Sequence, residues 1–197
     1  MPKCYSEQEK KYIIKRLKEE ASKCLVQYGV RRTTVDELVK RVKIPKGTFY
    51  LLYQSKESLL FEVIQDQHNK IETELLKALS DFDPDTMTCE KLTDILFGFF
   101  KVTSETPILN ILNSDEIEIL VRKLPQEVLS DHFHQDISMI EGLFSALHIK
   151  EAKKIEAFSA AFRAIYFSTL HKNEIDELNY DDALKLLVHG LVLQLLQ

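Results

Sequence analysis

Apolar residues recur at helical spacing along nearly all of the chain, and no segment shows the alternation typical of a β-strand. Residues 7–28 are the first example, because one face carries Ile13, Leu17, Ala21 and Leu25. The 197 residues include only 5 Gly and 5 Pro, which disfavours a turn-rich all-β fold. The sequence therefore predicts an all-α protein.

Turn and capping signals divide this pattern into nine predicted helices. Gly29 is placed as a helix stop, Thr34 and Glu37 as a capping box, and Pro45 and Ser55 as helix starts. The predicted helices cover residues 7–28, 34–42, 45–52, 55–79, 88–104, 108–121, 125–147, 151–171 and 181–196.

The second and third predicted helices form a helix-turn-helix braced by the first. Ile44 fills the turn and Phe49 anchors the third helix, which leaves polar and aromatic residues near the exposed start of that helix. In such a motif these positions face the major groove and its flanking phosphates. They are Lys46, Gly47, Thr48 and Tyr50, and Lys56 at the next helix start suits a phosphate.

Charge is distributed unevenly. Residues 1–56 carry a net charge of +8 and the rest of the chain −13, which gives the overall −5. This asymmetry indicates a basic segment that binds a polyanion and an acidic body that does not. A basic face that is merely solvated is the alternative.

The segment "TTVDELVKRVKIPKGTFYLLYQSKESLL" resembles the DNA-binding segment of the tetracycline-repressor (TetR-type) family of bacterial transcriptional regulators, and "IIKRLKEEASKCLVQYGVRR" resembles that family's first helix. The resemblance covers about residues 10 to 65. It implies a DNA-binding domain at residues 1–54 and an effector-binding and dimerisation domain at 55–197. It also implies phosphate contacts from Thr34, Tyr50 and Lys56, and places Lys46, Gly47 and Thr48 at or near base edges.

Three residues depart from the family pattern. Lys43 stands where a turn glycine is common, so it is expected near the left-handed region at a cost of about 1 kcal/mol. Leu52 replaces a Tyr or His that often reaches the DNA backbone. Tyr53 replaces a usual Phe, either as a buried core residue or as the donor of the missing hydroxyl.

The last two helices suit a homodimer. The segment at 157–169 places large residues on one face and small residues on another, and the last helix is apolar nearly all round. One larger monomeric core is the alternative. The large face consists of Phe158, Phe162, Ile165 and Thr169, and the small face of Ala157, Ala161, Ala164 and Ser168.

An effector site is harder to locate. Phe97, Phe100, Phe162 and Tyr166 are the candidate ligand contacts, with plain core packing as the alternative for each. They favour a small apolar or amphipathic effector. The resemblance then implies a ligand-responsive homodimeric regulator, a repressor rather than an activator, that binds operator DNA in the bacterial cytoplasm.

Other classes receive little support. No nucleotide-binding or hydrolase motif is present, no Cys–His pair with an orienting partner is evident, and no apolar run is long enough to span a membrane. The Asp81, Asp83 and Asp85 spacing and the His132 and His134 pair do not match calcium or zinc sites, so no metal or cofactor is expected. Two alternatives remain: an all-α ligand-binding or enzymatic protein with a vestigial helix-turn-helix, and a protein–protein adaptor.

Overall fold

The computed structural model describes residues 5–81, 86–109, 116–146 and 152–196. Within these ranges every regular element is a helix, which confirms the all-α prediction. In chain order the helices are α1 (Glu7–Arg32), α2 (Val35–Val42), α3 (Lys46–Leu52), α4 (Lys56–Ser80), α5 (Cys89–Glu105), α6 (Glu116–Lys123), α7 (Gln126–Ala146), α8 (Ala152–Leu170), α9 (Lys172–Ile175) and α10 (Tyr180–Leu196).

Side-chain caps explain where the first helices begin. Ser6 Oγ accepts from the Glu9 N–H at 3.3 Å, and the Ser6 N–H donates to Glu9 Oε2 at 2.8 Å. Thr34 Oγ1 accepts from the Glu37 N–H at 3.2 Å, which confirms Thr34 as the cap of α2, but only this half of the predicted Thr34–Glu37 capping box forms. Glu37 itself accepts from Arg41 Nε at 2.7 Å. Each cap contributes about 1 kcal/mol.

Gly29 breaks α1 as the sequence predicts. Its φ of 72° and ψ of −175° are non-helical, although a last helical turn follows as far as Arg32. Thr33 closes this turn, because its hydroxyl donates to the Gly29 carbonyl oxygen at 2.6 Å. The chain therefore changes direction just before the helix-turn-helix begins.

Two elements differ from the predicted boundaries. The helix predicted at 108–121 is wrong at both ends, since α6 begins at Glu116 and ends at Lys123. Pro125 explains the later end, because the residue before a proline disfavours helical geometry. The four-residue α9 was not predicted and lies in a segment expected to be a turn.

The chain divides into two compact units. The first comprises Met1–Gln67 with Ile111–Gln126, and the second His68–Asn110 with Glu127–Gln197. This division differs from the functional boundary predicted after residue 54, which stays a prediction. In the first unit α2 packs on α1 and α3, and α6 packs on α1. Its fully buried side chains include Leu17, Leu25, Leu38, Phe49 and Leu59.

In the second unit α5 packs along α10, and α8 packs against both. The face of α8 predicted to enter the core does so, since its four large residues are at most 8% exposed. Tyr180, at the start of α10, is buried with its hydroxyl 2.9 Å from Ser168 Oγ on α8. Other buried residues of this unit are Leu92, Leu96, Phe100, Leu143 and Val188.

Within the described ranges, no helix has the length and apolar character needed to cross a membrane. Among the same residues no group of three or more His, Cys, Asp or Glu is arranged to hold a metal ion. Asp83, Asp85 and the side chains of His132 and His134 lie outside what the structure describes.

Candidate nucleic-acid interface

The turn between α2 and α3 has the geometry of a helix-turn-helix. Lys43 has φ 61° and ψ 46°, so the predicted left-handed conformation is confirmed. The N–H groups of Lys43 and Ile44 donate back to Lys40 and Val39 carbonyl oxygens at 3.3 and 3.0 Å, which closes α2. Phe49 is fully buried and fixes α3 against the rest of this unit.

One side of α3 is open to solvent, and we call it the recognition face: Lys46, Gly47, Tyr50 and Leu51. Tyr50 is 53% exposed and Leu51 72%. A Cβ added at Gly47 would meet no atom within 4 Å, so another molecule can approach this backbone closely. Leu51 was missed from sequence, although it lies one turn beyond Gly47 on the same side.

Thr48 does not belong to the recognition face. It is 6% exposed, and its Oγ1 lies 3.3 Å from the Tyr5 hydroxyl. At 100° per residue it points about 160° away from Tyr50, towards the packed side of α3. Its predicted contact with base edges would require this buried side chain to turn outwards, so the structure gives that prediction no support.

The Lys46 amine is paired within the protein. It lies 2.9 and 3.1 Å from the two Asp36 carboxylate oxygens, and this hydrogen bond raises the pKa of Lys46. Asp36 is exposed and lies in the first turn of α2, so the recognition face has a carboxylate at its edge. The sequence offered no signal for this pair, whose members are ten residues apart in different helices.

The Lys56 amine is directed inwards onto backbone carbonyl groups, and its predicted phosphate contact stays a prediction. Its Nζ donates to the carbonyl oxygens of Val30 and Thr33 at 2.6 and 2.7 Å. Burial lowers the pKa of this amine. Lys56 thus caps the carbonyl groups at the end of α1, while Ser55 caps α4 through the Ser58 N–H at 3.1 Å, as predicted.

Glu116 binds the other side of the same backbone turn. Its Oε2 accepts from the Val30 N–H at 2.7 Å and its Oε1 from the Arg31 N–H at 3.3 Å. At the far end of α6, Lys123 Nζ lies 2.9 Å from Glu57 Oε1. Hydrogen bonds from backbone N–H groups to the Glu116 carboxylate therefore hold α6 against α1, and the Lys123–Glu57 ion pair holds it against α4. Neither contact was predicted.

The other residues singled out in the first unit differ in exposure, and they are Thr34, Leu52 and Tyr53. Thr34 is exposed, and its hydroxyl oxygen serves as the cap of α2. Tyr53 is only 9% exposed and burial raises the pKa of its phenol, which also hydrogen-bonds to Glu62. The buried-core interpretation of Tyr53 is therefore confirmed. Leu52 is half-buried.

The predicted effector residues are not equivalent. Phe100 is fully buried and Phe162 is 3% exposed, with their ring centroids 4.7 Å apart. They belong to an aromatic cluster that also contains Phe99, Phe144 and Phe158. The core alternative therefore describes their present packing, and a ligand contact stays a prediction.

Phe97 and Tyr166, in the second unit, are half-buried. The Phe97 ring has the amines of Lys101 and Lys185 at 5.9 and 5.8 Å from its centroid, so it takes part in cation–π contacts. Tyr166 is half-buried, with its ring edge-on to His68 at 6.1 Å.

Comparison with known proteins gives a consistent result. Residues 18–63 match the family model for bacterial regulatory proteins of the tetR family. Over 119 residues the chain is 29% identical to the uncharacterised HTH-type transcriptional regulator YuxN of Bacillus subtilis strain 168, a match that covers 58% of this chain and 41% of that protein. The match therefore spans less than half the length of this curated relative.

Solved structures extend the similarity to the whole fold. A TetR-family transcriptional regulator from Mesorhizobium loti MAFF303099 superposes with a TM-score of 0.63 at 13% identity, covering 98% of each chain. The transcriptional regulator FadR from Bacillus subtilis, solved with stearoyl-CoA, has a TM-score of 0.61 at 16% identity and covers 90% of this chain and 96% of its own. At these identities the likeness concerns the fold alone.

Proposed function

This chain belongs to the tetR family of bacterial regulatory proteins, whose family model its residues 18–63 match, and we propose that it is a ligand-responsive repressor that binds operator DNA as a homodimer. The observation that carries this proposal is the recognition face of α3. It combines an amine, an unshielded backbone at Gly47 and two large exposed side chains on the most basic part of the chain.

Each component of the recognition face suits a particular contact with the duplex. Lys46 supplies charge for phosphate or guanine, and the Tyr50 hydroxyl suits a phosphate oxygen. The exposed methyl groups of Leu51 suit the methyl group of thymine. Thr34 and the N-terminus of α4 remain proposed phosphate contacts at the border of this face.

Two copies are needed to present two such faces one helical turn of DNA apart, about 34 Å. The side of α10 that faces away from the core supports a homodimer, since Leu186, Leu187 and Leu193 are 74%, 53% and 41% exposed there. The neighbouring helix α8 exposes Ala157, Ala160, Ala164 and Phe167. Small residues of this kind let a partner helix approach closely.

The effector is proposed to be small and apolar or amphipathic. The aromatic cluster supplies apolar surface, and polar groups are supplied by Tyr166, whose ring lies 6.1 Å from that of His68, and by Glu72, whose Oε1 lies 3.7 Å from His68 Nε2. The FadR structure contains stearoyl-CoA, an amphipathic molecule, and its fold is the one this chain adopts. An effector that binds the DNA-incompetent state better would release the operator.

The first experiment is a fluorescence-anisotropy titration of the duplex upstream of the protein's own gene, beside a shuffled duplex of equal length. We expect a dimer-stoichiometric preference for the native duplex, with an affinity that falls at least ~100-fold between about 50 and 200 mM salt. Lys46→Ala and Tyr50→Ala should each weaken binding about tenfold, whereas Lys77→Ala, an exposed lysine at the end of α4, should not.

The vestigial alternative has its own support, because Lys46 is paired with Asp36 and Thr48 is buried. It predicts weak binding to both duplexes and no difference between Lys46→Ala and Lys77→Ala. If a genome-wide selection of bound fragments also returns no enriched sequence, the repressor proposal is wrong.

The effector is tested on the protein–DNA complex. Stearoyl-CoA serves as the amphipathic probe and coenzyme A alone as its control. Release by the first and not by the second supports an amphipathic effector, and Phe162→Leu should then weaken release without altering DNA affinity. If neither a long-chain probe nor an apolar library releases DNA, the protein is a regulator without this kind of effector.

A further inference from the structure

In the second unit a cysteine, a histidine and a threonine meet between α5 and α10. Cys89 Sγ lies 3.7 Å from His189 Nδ1, and Thr93 Oγ1 lies 3.2 Å from the same nitrogen. Cys89 and His189 are both half-buried, so small molecules in solvent have access to this cluster. A pair of this kind was not evident in the sequence, because its members are 100 residues apart.

The directions of the hydrogen bonds in this cluster indicate where His189 can carry a proton. The Thr93 hydroxyl donates to the Cys89 carbonyl oxygen at 2.7 Å, so its oxygen faces His189 as an acceptor. Such an acceptor favours a proton on Nδ1. When the neutral ring carries its proton on Nε2, Nδ1 accepts the hydrogen of the thiol, and the imidazolium that forms donates from Nδ1 to Thr93 Oγ1.

The position of Cys89 at the start of a helix is a second feature of this cluster. Cys89 is the first residue of α5, a helix of 17 residues that begins after the Thr88 cap. The unpaired N–H groups of a first helical turn favour negative charge, and thiolates are stabilised there. The Cys89 sulfur thus lies beside an imidazole nitrogen and at the N-terminus of a helix.

We propose that Cys89 is a nucleophilic thiol, with His189 as its base and Thr93 as the residue that positions the imidazole, and that it is a covalent modification site for α,β-unsaturated carbonyl compounds. The inference does not depend on the proposed function. The thiolate attacks the β-carbon, a sulfur–carbon bond forms and the carbon–carbon π bond breaks. Its electron pair passes to the enolate, whose α-carbon takes up the proton held by the imidazolium, and neutral His189 is restored.

Neighbouring charges are arranged in pairs or exposed to solvent. Lys185 of α10 and Asp94 of α5 lie 2.8 Å apart, one turn from the cluster, and join the same two helices. The other charged residues of this stretch are Glu90 and Lys91 of α5 and Asp182 of α10, with Glu156 and Arg163 on α8, and all five are exposed. His189 is thus the titratable group that contacts the sulfur among the described residues.

The chain provides its own control thiol. Cys24 is fully buried, and burial raises the pKa of its thiol, so it should stay unreactive while the protein is folded. Cys4 lies outside the described residues and is replaced by serine in every variant. Reactivity at Cys24 then reports loss of the fold, and reactivity at Cys89 reports the proposed site.

The experiment measures N-ethylmaleimide addition to the full-length Cys4→Ser protein by peptide mass spectrometry between about pH 5.5 and 7.5. A synthetic peptide of residues 86–92 is the unstructured reference. At about pH 6.5 we expect Cys89 to react roughly fivefold or more faster than the peptide. His189→Gln and Thr93→Val should remove most of this excess, whereas Thr93→Ser should retain it because it keeps the hydroxyl acceptor.

Equal rates for Cys89 and the peptide across this pH range would refute the proposal. An excess that survives both His189→Gln and Thr93→Val would also refute it, since the rate would then owe nothing to the imidazole. If His189→Gln exposes Cys24, the comparison of Thr93→Val with Thr93→Ser and the pH profile of the parent protein decide the question.

Discussion

Asp36 places a carboxylate at the edge of the recognition face, 2.9 Å from the Lys46 amine. Both side chains are more than half exposed, so their pairing adds little to the stability of the fold. On DNA, however, the carboxylate repels phosphate and competes for the amine. Asp36 is therefore a residue whose main effect is expected in binding and not in folding.

Replacing Asp36 by Asn tests this expectation. The variant should bind the native duplex about three to ten times more tightly at low salt, because Lys46 is released and a repulsive charge is removed. The gain should shrink as salt is raised. The anisotropy titration measures it, with Glu74→Gln, an exposed residue of α4 in the second unit, as the control. Unchanged or weaker binding by Asp36→Asn would contradict the assignment of Lys46 to DNA.

At this scale the sequence predicted backbone conformation better than side-chain partners. The left-handed Lys43 and the core alternative for Tyr53 followed from the family resemblance, in which a turn glycine and a phenylalanine are usual at these positions. The inward direction of Thr48 also follows from the period of α3, but the helix-turn-helix interpretation and the family resemblance both assigned it to DNA. The Lys56 contacts were not predictable, since its carbonyl partners lie 23 to 26 residues earlier.

Among the elements, the end of α1 depends on Gly29 more than on any helical propensity. Its φ of 72° with ψ −175° belongs to a region that only glycine adopts readily. A Cβ at this position would also collide with the Glu116 carboxylate. The break in α1 and the contact with α6 therefore require the same residue.

Gly29→Ala is expected to lower the free energy of unfolding by about 1 to 3 kcal/mol, through backbone strain and displacement of Glu116. Urea denaturation measures the change. Gly98→Ala is the matched control, because Gly98 lies inside α5 with open space around its Cβ position. That variant should be neutral or more stable by up to about 1 kcal/mol. Equal effects of the two substitutions would show that Gly29 carries no special constraint.

The other end of α6 gives a pH-dependent prediction. Burial acts to raise the pKa of Glu57, but the hydrogen bond from Lys123, a backbone hydrogen bond and the positive charges of Lys123 and Lys56 together outweigh burial, so the pKa is lowered overall. Because the folded-state pKa lies below the unfolded value of 4.5, the charged Glu57 stabilises the fold above that pH. This contribution is lost as the pH falls through the folded-state pKa.

Glu57→Gln should therefore be less stable than the parent protein at pH 7, by about 1.5 kcal/mol. The difference should disappear at a pH well below 4.5, where the parent carboxyl group is also protonated. Urea denaturation at a series of pH values checks this, with Glu74→Gln again as a carboxyl-to-amide control. A difference that persists in acid would mean that packing, and not charge, makes Glu57 important.

At the scale of the whole molecule, the predictable part was the order of helices and the basic helix-turn-helix that precedes an acidic body. Both follow from periodicity and composition, which act along the chain. The inclusion of residues 111–126 in the first compact unit was not predictable. It depends on contacts such as Glu116 with Val30, whose partners are 86 residues apart.

The proposed homodimer supplies the last prediction. Leu187 is 53% exposed on the side of α10 that faces away from the core, with Gly190 and Leu193 on the same side. Burying this face against a second copy removes apolar area from water, which is the main driving force for association. A glutamate at position 187 would place a charge in that interface, and an unpaired buried charge costs several kcal/mol.

Leu187→Glu should therefore be monomeric by analytical ultracentrifugation at micromolar concentration and should lose preference for the native duplex. Leu51→Glu is the matched control, because it makes the same substitution at a 72% exposed leucine on the recognition face. It should remain dimeric and still lose DNA binding, so that the two variants separate assembly from recognition. If Leu187→Glu stays dimeric while its fold is intact, the two copies associate through a different surface, and the spacing of the recognition faces has to be derived from that surface instead.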